Sequence, residues 1–114
     1  MTTKSRGAAG EALGARFLES KGLTIVAHNY TCRFGEIDLI AQDETELVFV
    51  EVKLRRSAAF SDAADAVTPA KRAKLRKTAL FWFQSHGEVP ARFDVLEIYD
   101  EFTPARIHWI RNAF

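Results

Sequence analysis

Apolar and polar residues alternate over residues 35–53, which read GEIDLIAQDETELVFVEVK. The alternation stops at the polar segment 42–46 and then resumes, which predicts two antiparallel strands joined by a tight loop. Helical spacing, capping residues and turn residues predict the other elements. Before the hairpin, these are a helix over about 5–21 and a strand over 23–28, followed by a connection over 29–34. After the hairpin, they are a helix from Thr68 to about residue 85 and strands over 92–99 and 106–110. This order predicts an α/β fold with a mixed β-sheet of about five strands flanked by helices.

The register of the predicted hairpin decides which polar side chains meet. If the hairpin closes symmetrically about residues 44 and 45, Asp38 lies opposite Glu51, and Glu36 lies opposite Lys53. Residues directly opposite each other have Cβ atoms about 4.5–5.5 Å apart, so carboxylates and an ammonium would gather in one small patch. A slip by one residue would scatter them over both faces of the sheet, so the prediction depends on this register.

Adjacent carboxylates in a half-buried sheet repel each other and lose hydration, so folding alone gives little reason to place Asp38 beside Glu51. A divalent cation would resolve the conflict, because Mg²⁺ is typically held by one or two carboxylates together with water and substrate phosphate. The main-chain carbonyl of Val52 could add another oxygen ligand. Lys53 could then stabilise negative charge that develops on a phosphate, or orient the attacking water.

A simpler interpretation of the same residues stays open at this point. Charge on a strand face is typical of solvent exposure or of the protection of a sheet edge. Glu51 and Lys53 could therefore be a solvated pair, with Asp38 bound to Arg33 or to another cation. The hairpin alone does not decide between a metal site and a solvated face.

The first predicted helix carries Ala9, Leu13 and Phe17 at helical spacing. Small residues, among them several glycines, surround Glu11 and would let the helix approach the sheet or a phosphate backbone closely. From the helix alone, Glu11 is interpreted as a solvated glutamate that pairs with Arg16 or another basic residue.

The spacing of Asp38 and Glu51-Val52-Lys53 resembles the D…(D/E)xK signature of the restriction-endonuclease-like nuclease superfamily. The segments GEIDLIA, LVFVEVK and IRNAF resemble the YraN family of bacterial proteins, and the resemblance runs over nearly the whole chain. That family is similar to archaeal Holliday-junction resolvases. Ile37 stands where the superfamily often has proline, a departure that removes no metal ligand.

The resemblance implies a restriction-endonuclease-like fold and a Mg²⁺- or Mn²⁺-dependent endonuclease that hydrolyses phosphodiester bonds in nucleic acid, with branched DNA as the expected substrate. Asp38, Glu51 and the carbonyl of Val52 would hold the metal, and Lys53 would stabilise the transition state. By the same resemblance, Glu11 matches the first-helix glutamate of the resolvases, within the GxxxE segment 7–11, and would be a further acidic member of the site. The alternative is a catalytically inactive nucleic-acid-binding module with the same fold.

Basic residues are concentrated on the second predicted helix, although the net charge of the chain is only +1. Lys71, Lys74 and Lys77 form one stripe flanked by arginines, with no acidic residue between positions 71 and 77. This pattern predicts a phosphate-contacting surface, and a solvated helix face or a site for an acidic protein partner is the alternative. The residues expected to contact nucleic acid are Arg55, Arg56, Lys71, Arg72, Lys74 and Lys77.

Length and composition bound the remaining expectations. With 114 residues, of which 47% are hydrophobic and 27% charged, the chain is expected to form one globular domain over residues 1–114. It has no apolar run of membrane-spanning length and no signal-peptide core at its start, so we expect a cytoplasmic protein. Cys32 is the only cysteine, which excludes an internal disulfide. Resolvase-like relatives often work as dimers, because a four-way junction presents two symmetric cleavage points; we therefore expect a homodimer, with Trp109, Ile110 and Phe114 as interface candidates.

Overall fold

The computed structural model describes residues 3–55 and 67–114, with side chains from residue 7 onwards. In chain order the elements are α1 (Thr3–Ser20), β1 (Thr24–Cys32), β2 (Gly35–Gln42), β3 (Leu47–Arg55), α2 (Pro69–His86), β4 (Ala91–Tyr99) and β5 (Arg106–Ile110). The strands of these described segments form one sheet in the order β1-β2-β3-β4-β5, in which β3 and β4 are parallel and all other neighbours are antiparallel. The predicted mixed five-stranded sheet is confirmed, and it is consistent with a restriction-endonuclease-like fold.

The two helices cover opposite faces of the sheet, because successive residues of a strand point to opposite sides. On one face, Leu18 of α1 packs in a buried cluster with Val48 and Val50 of β3. On the other face, Trp82 of α2 packs in a second buried cluster with Phe49 of the same strand. Strand β3 is therefore buried on both sides over its first half. Within residues 3–55 and 67–114, neither helix combines the length and the apolar character that crossing a membrane requires.

Helix α1 lies unusually close to the sheet because glycines form the centre of its buried face. Gly10 and Gly14 are buried, and a Cβ added to them would come within 2.8 Å of Leu54 and 3.2 Å of Leu96, respectively. The predicted close approach of this helix to the sheet is confirmed. The buried stripe of the helix includes Gly10, Gly14 and Leu18, and Ala9 is exposed.

Strand β1 is longer than predicted. It continues to Cys32, through most of the segment 29–34 that was expected to be a connection. Two irregularities interrupt the alternation of apolar and polar residues by which a strand is recognised in a sequence. They are a register shift between Ile25 and Ala27 and a left-handed backbone at Asn29 with φ of 48°. The strand persists because its main-chain pairing with β2 resumes after Asn29 and runs to the end of β1.

The predicted hairpin register is confirmed where β2 and β3 pair. Leu39 lies opposite Val50 and Ile40 lies opposite Phe49, which is the pairing that a loop centred on residues 44 and 45 produces. The main-chain pairing between the two strands ends at Leu39 and Val50, whereas β3 continues to pair with β4 along its whole length. Beyond this point β2 and β3 diverge, and the polar ends of the hairpin lie next to a gap.

The loop between β2 and β3 is closed by Asp43. One oxygen of this carboxylate accepts the backbone N–H groups of Thr45 and Glu46, both at 2.8 Å. The other oxygen accepts a hydrogen bond from Arg92 at 2.8 Å, and Arg92 also donates to the fully buried Asp94. The backbone N–H groups of Thr45 and Glu46, and then Arg92, hold the pKa of Asp43 well below its usual range.

Helix α2 begins and ends where its capping residues predict. Thr68 is the N-cap, and its hydroxyl accepts the N–H of Lys71 at 3.2 Å, while proline occupies the first helical position. Gly87 ends the helix with φ of 88° and donates its N–H to the carbonyl of Phe83. The first turns of α2 carry Lys71 and Lys74, which lie beside the open end of the hairpin.

Candidate metal centre

The gap between β2 and β3 is bridged by a side chain. Oδ2 of Asp38 accepts the backbone N–H of Val52 at 2.8 Å, so the carboxylate takes the place of a main-chain partner. The N–H and C=O groups of one strand residue point to the same side, and the carbonyl of Val52 therefore faces the same gap. The structure brings together Asp38 and Val52, the two residues that the D…ExK spacing placed 14 positions apart.

Three carboxylates meet at this gap. Oxygens of Glu11, Glu36 and Asp38 all lie within 4.8 Å of one another. Glu11 reaches the group from α1 because that helix lies so close to the sheet, and Glu36 shares the face of β2 with Asp38. The predicted hairpin register placed Glu36 in the same polar patch, but Glu36 was not among the predicted metal or catalytic residues.

Glu51 completes what we call the carboxylate cluster, which consists of Glu11, Glu36, Asp38 and Glu51. Burial, and then the charge of Asp38, raises the pKa of Glu51 from 4.5 to about 7. The pKa of Asp38 is also raised, first by burial, although the N–H of Val52 opposes the shift. The carboxylate of Asp38 thus lies close enough to Glu51 for its charge to disfavour the ionisation of Glu51.

Lys53 lies beside this pair. Its ammonium is 3.7 Å from Oε1 of Glu51, and the two side chains are only 19% and 22% exposed. A solvated strand-edge pair would be far more exposed, so the simpler interpretation of the hairpin charges does not describe them. Arg33, proposed as an alternative partner for Asp38, instead lies over the ring of Phe34 at 4.8 Å.

Glu11 is held in the carboxylate cluster against repulsion. Burial, then the charge of Asp38 and more weakly that of Glu36, raises its pKa above the ordinary value, while the nearby side-chain amide of Asn29 opposes the shift. The donors offered to a cation are carboxylate oxygens and one main-chain carbonyl oxygen. These are the ligands that Mg²⁺ and Mn²⁺ prefer, and a divalent cation would relieve the repulsion that raises these pKa values.

A cavity of about 150 Å³ opens beside the carboxylate cluster. Glu36, Glu51 and Lys53 line it from the sheet, and Lys71 and Lys74 line it from the first turns of α2. The cavity thus has carboxylates on one side and three ammonium groups around it. This arrangement suits an anion whose oxygens contact a cation and lysines together, as those of a phosphate diester do.

The other predicted nucleic-acid contacts are placed differently. Arg55 is only 9% exposed and donates from Nε to Glu97 at 3.1 Å. Arg72 donates to the carbonyl of Val67 at 2.9 Å. Lys77 is exposed but does not line the cavity. Arg56 lies outside the described residues. Of the six predicted contacts, the structure therefore brings Lys71 and Lys74 to the carboxylate cluster.

The sequence of this chain is similar to those of known bacterial proteins. The model of a family described as "Uncharacterised protein family UPF0102" matches residues 10–98, a range that contains the whole carboxylate cluster. The UPF0102 protein YraN of Escherichia coli (strain SMS-3-5) is 45% identical over 118 residues, which cover 100% of this chain and 87% of that protein. A UPF0102 protein of Dichelobacter nodosus is 47% identical over 115 residues, which cover 99% of this chain and 91% of that protein. A UPF0102 protein of Nitrosococcus oceani is 43% identical over 116 residues, which cover 99% of this chain and 94% of that protein.

Proposed function

This chain belongs to the uncharacterised protein family UPF0102, as its resemblance to YraN predicted, and from its site we propose that it is a divalent-metal-dependent endonuclease. The observation that carries the proposal is the carboxylate cluster, which crowds four carboxyl groups beside Lys53 at a point where two strands diverge. Such crowding raises the pKa of three of them and is unfavourable for folding. A bound cation and a phosphate substrate would offset that cost.

Each residue of the site has a distinct role in the proposed reaction. Asp38, Glu51 and the carbonyl of Val52 would hold Mg²⁺ or Mn²⁺, with Glu11 as a further acidic member. A divalent cation held there would polarise the scissile phosphate and lower the pKa of the attacking water. Lys53, at the rim of the cavity, would balance the charge that develops on the phosphate oxygens.

The substrate proposed is nucleic acid, and DNA with branched structure in particular. Lys71 and Lys74 line the cavity from α2 and would bind phosphates next to the scissile one. Lys77, which is exposed one turn after Lys74, would extend this line of charge along the helix. A backbone with a phosphate in every nucleotide fits such a row better than an isolated phosphate does.

A symmetric dimer would match the two cleavage points of a four-way junction, and a homodimer stays a prediction. Two of the interface candidates make contacts within the chain. Trp109 donates to Asp94 at 2.9 Å, and Phe114 stacks on Phe93 with ring centroids 4.9 Å apart. Sedimentation equilibrium would measure the oligomeric state, and a monomer at high concentration would contradict the expectation.

The first test of the proposal is Mn²⁺ binding by calorimetry, which needs no choice of substrate. The wild type is expected to bind Mn²⁺, and Asp38→Asn is expected to lose binding, although asparagine still offers an oxygen to the N–H of Val52. The matched control is Glu44→Gln, which removes an exposed carboxylate of the β2–β3 loop. Equal binding by all three proteins would contradict the assignment of the site.

The second test measures cleavage of branched DNA in the presence of Mn²⁺. Lys53→Ala is expected to abolish cleavage while DNA binding is largely kept, because Lys71 and Lys74 stay in place. Lys21→Ala is the control, since Lys21 is exposed just after the end of α1, ten residues after Glu11. DNA binding by the wild type without cleavage, unaffected by Asp38→Asn or by metal removal, would instead indicate a catalytically inactive binding module.

A further inference from the structure

Asn29 occupies an unusual position beside the carboxylate cluster. His28 of β1 lies opposite Leu39, and Tyr30 lies opposite Ile37, so the residue between them faces Asp38 across the two strands. No main-chain pair joins Asn29 to Asp38, although the pairs on both sides are present. The strand therefore opens at the residue next to the proposed metal ligand.

The backbone of Asn29 is in the left-handed region, with φ of 48°. This conformation is costly for most residues, and asparagine is one of the few that adopt it routinely. It interrupts the alternation of β1 beside the carboxylate cluster, and the side chain of Asn29 lies close enough to the carboxylate of Glu11 on α1 to oppose the rise of its pKa. The contact thus ties the edge strand to the helix that carries Glu11.

We propose that Asn29 is a positioning residue whose side-chain amide holds the carboxylate of Glu11 in the carboxylate cluster, ready to interact with a divalent cation. The need for such a device follows from the geometry. Glu11 has oxygens of Glu36 and Asp38 within 4.8 Å, and like charges at that distance would turn its flexible side chain towards solvent. A neutral amide donor attracts the carboxylate without competing with the cation for it.

This inference rests on the proposed function, because it gives the Glu11 carboxylate a role in metal binding. The purely structural alternative is that asparagine is present only for its left-handed backbone. Glycine separates the two roles, since it adopts the same backbone conformation at no steric cost but has no side-chain amide. Partners that orient metal ligands typically change metal affinity by 10–100-fold when they are removed.

The experiment is Mn²⁺ calorimetry on Asn29→Gly, with Asn112→Gly as the matched control. Asn112 has the same left-handed backbone, with φ of 51°, and only its backbone N–H is bonded to Asp94, at 3.0 Å, so glycine keeps that bond. We expect the Kd for Mn²⁺ to rise about tenfold in Asn29→Gly and to stay within twofold in Asn112→Gly. An unchanged Kd in Asn29→Gly would overturn the inference.

A second comparison tests whether Asn29 acts through Glu11. In a Glu11→Ala background, the additional Asn29→Gly change is expected to alter the Kd by less than twofold, because the carboxylate that Asn29 holds is already absent. A tenfold loss that persists in the Glu11→Ala background would show that Asn29 acts by another route, and would overturn the inference.

A measurement without metal separates failure of this inference from failure of the proposed function. If the wild type does not bind Mn²⁺, the proposed function fails, and the contact itself is decided by NMR. The side-chain ¹⁵N–¹H amide signals of Asn29 are expected to shift on Glu11→Ala and to stay in place on Glu19→Ala, which changes an exposed glutamate of the same helix. If the side-chain amide signals of Asn29 do not shift on Glu11→Ala, the inference is overturned.

Discussion

Glu51→Gln is predicted to make the protein more stable at neutral pH, because the folded state disfavours the charge of Glu51. The pKa of Glu51 rises from 4.5 to about 7 on folding, first through burial and then through Asp38. The folded state therefore binds a proton more tightly than the unfolded state, and stability is lost as the pH rises from about 4.5 to about 7. Glutamine carries no charge at any pH, and its amide can still donate to Asp38.

The size of the effect follows from the pKa shift. Each pKa unit corresponds to about 1.4 kcal/mol, so the whole shift corresponds to about 3 kcal/mol. Because the side chain of Glu51 is 22% exposed and solvent screens part of this interaction, we expect a gain of about 2 kcal/mol above pH 7. For a domain of this size the gain raises the Tm by about 8 °C.

The assay is denaturant unfolding of the wild type and Glu51→Gln at pH 8 and at pH 4, in the presence of a chelator. The variant is expected to be more stable by about 2 kcal/mol at pH 8 and equal to the wild type at pH 4, where both states of the wild type are largely protonated. Glu44→Gln, in the exposed loop, controls for the substitution itself. A variant that is less stable than the wild type at pH 8, or a difference that does not depend on pH, would show that the charge of Glu51 does not destabilise the folded state.

Three further predictions concern other parts of the molecule. Asp43→Asn keeps the oxygen that accepts Thr45 and Glu46 but loses the charge that pairs with Arg92. Because the pKa of Asp43 is lowered in the fold, the contribution of that charge, about 1 kcal/mol, is complete above about pH 4 and declines as the pH falls, so urea unfolding should separate the two proteins by more at pH 7 than at pH 2. Gly7→Ala should raise the Tm, since the added Cβ would meet no atom within 4 Å and alanine stabilises a helix by up to about 1 kcal/mol relative to glycine. Gly10→Ala should raise the Tm less, or lower it, because its Cβ would meet Leu54 at 2.8 Å. Equal gains in the two variants would contradict the close packing of α1. DNA binding measured by fluorescence anisotropy at several salt concentrations gives the slope of log Kd against log salt. Lys71→Ala combined with Lys74→Ala should reduce this slope by about two. Arg72→Ala should leave it nearly unchanged, because the guanidinium of Arg72 is bonded to Val67.

The parts of the fold that were predictable from sequence are those set by local rules. The hairpin register followed from alternation and a short loop, since a slip by one residue would bury charges and expose Ile40 and Phe49. The bounds of α2 followed from Thr68 and Gly87, whose capping roles depend on neighbouring residues only. The end of β1 was not predictable, because its last residues are held by pairing with β2 and not by an alternating pattern.

The central part of the candidate site was predictable from local sequence. Asp38, Glu51 and Lys53 lie on two strands joined by a short loop, so their approach is a local event whose geometry the periodicity of strands sets. Which other groups join these three residues depends on the packing of elements that are distant in sequence. Glu11 reaches Asp38 because buried glycines let α1 lie close to the sheet. Arg55 turns instead to Glu97, 42 residues further along the chain. A long charged side chain can reach partners in many directions, and which one it meets depends on elements that are distant in sequence and adjacent only after folding.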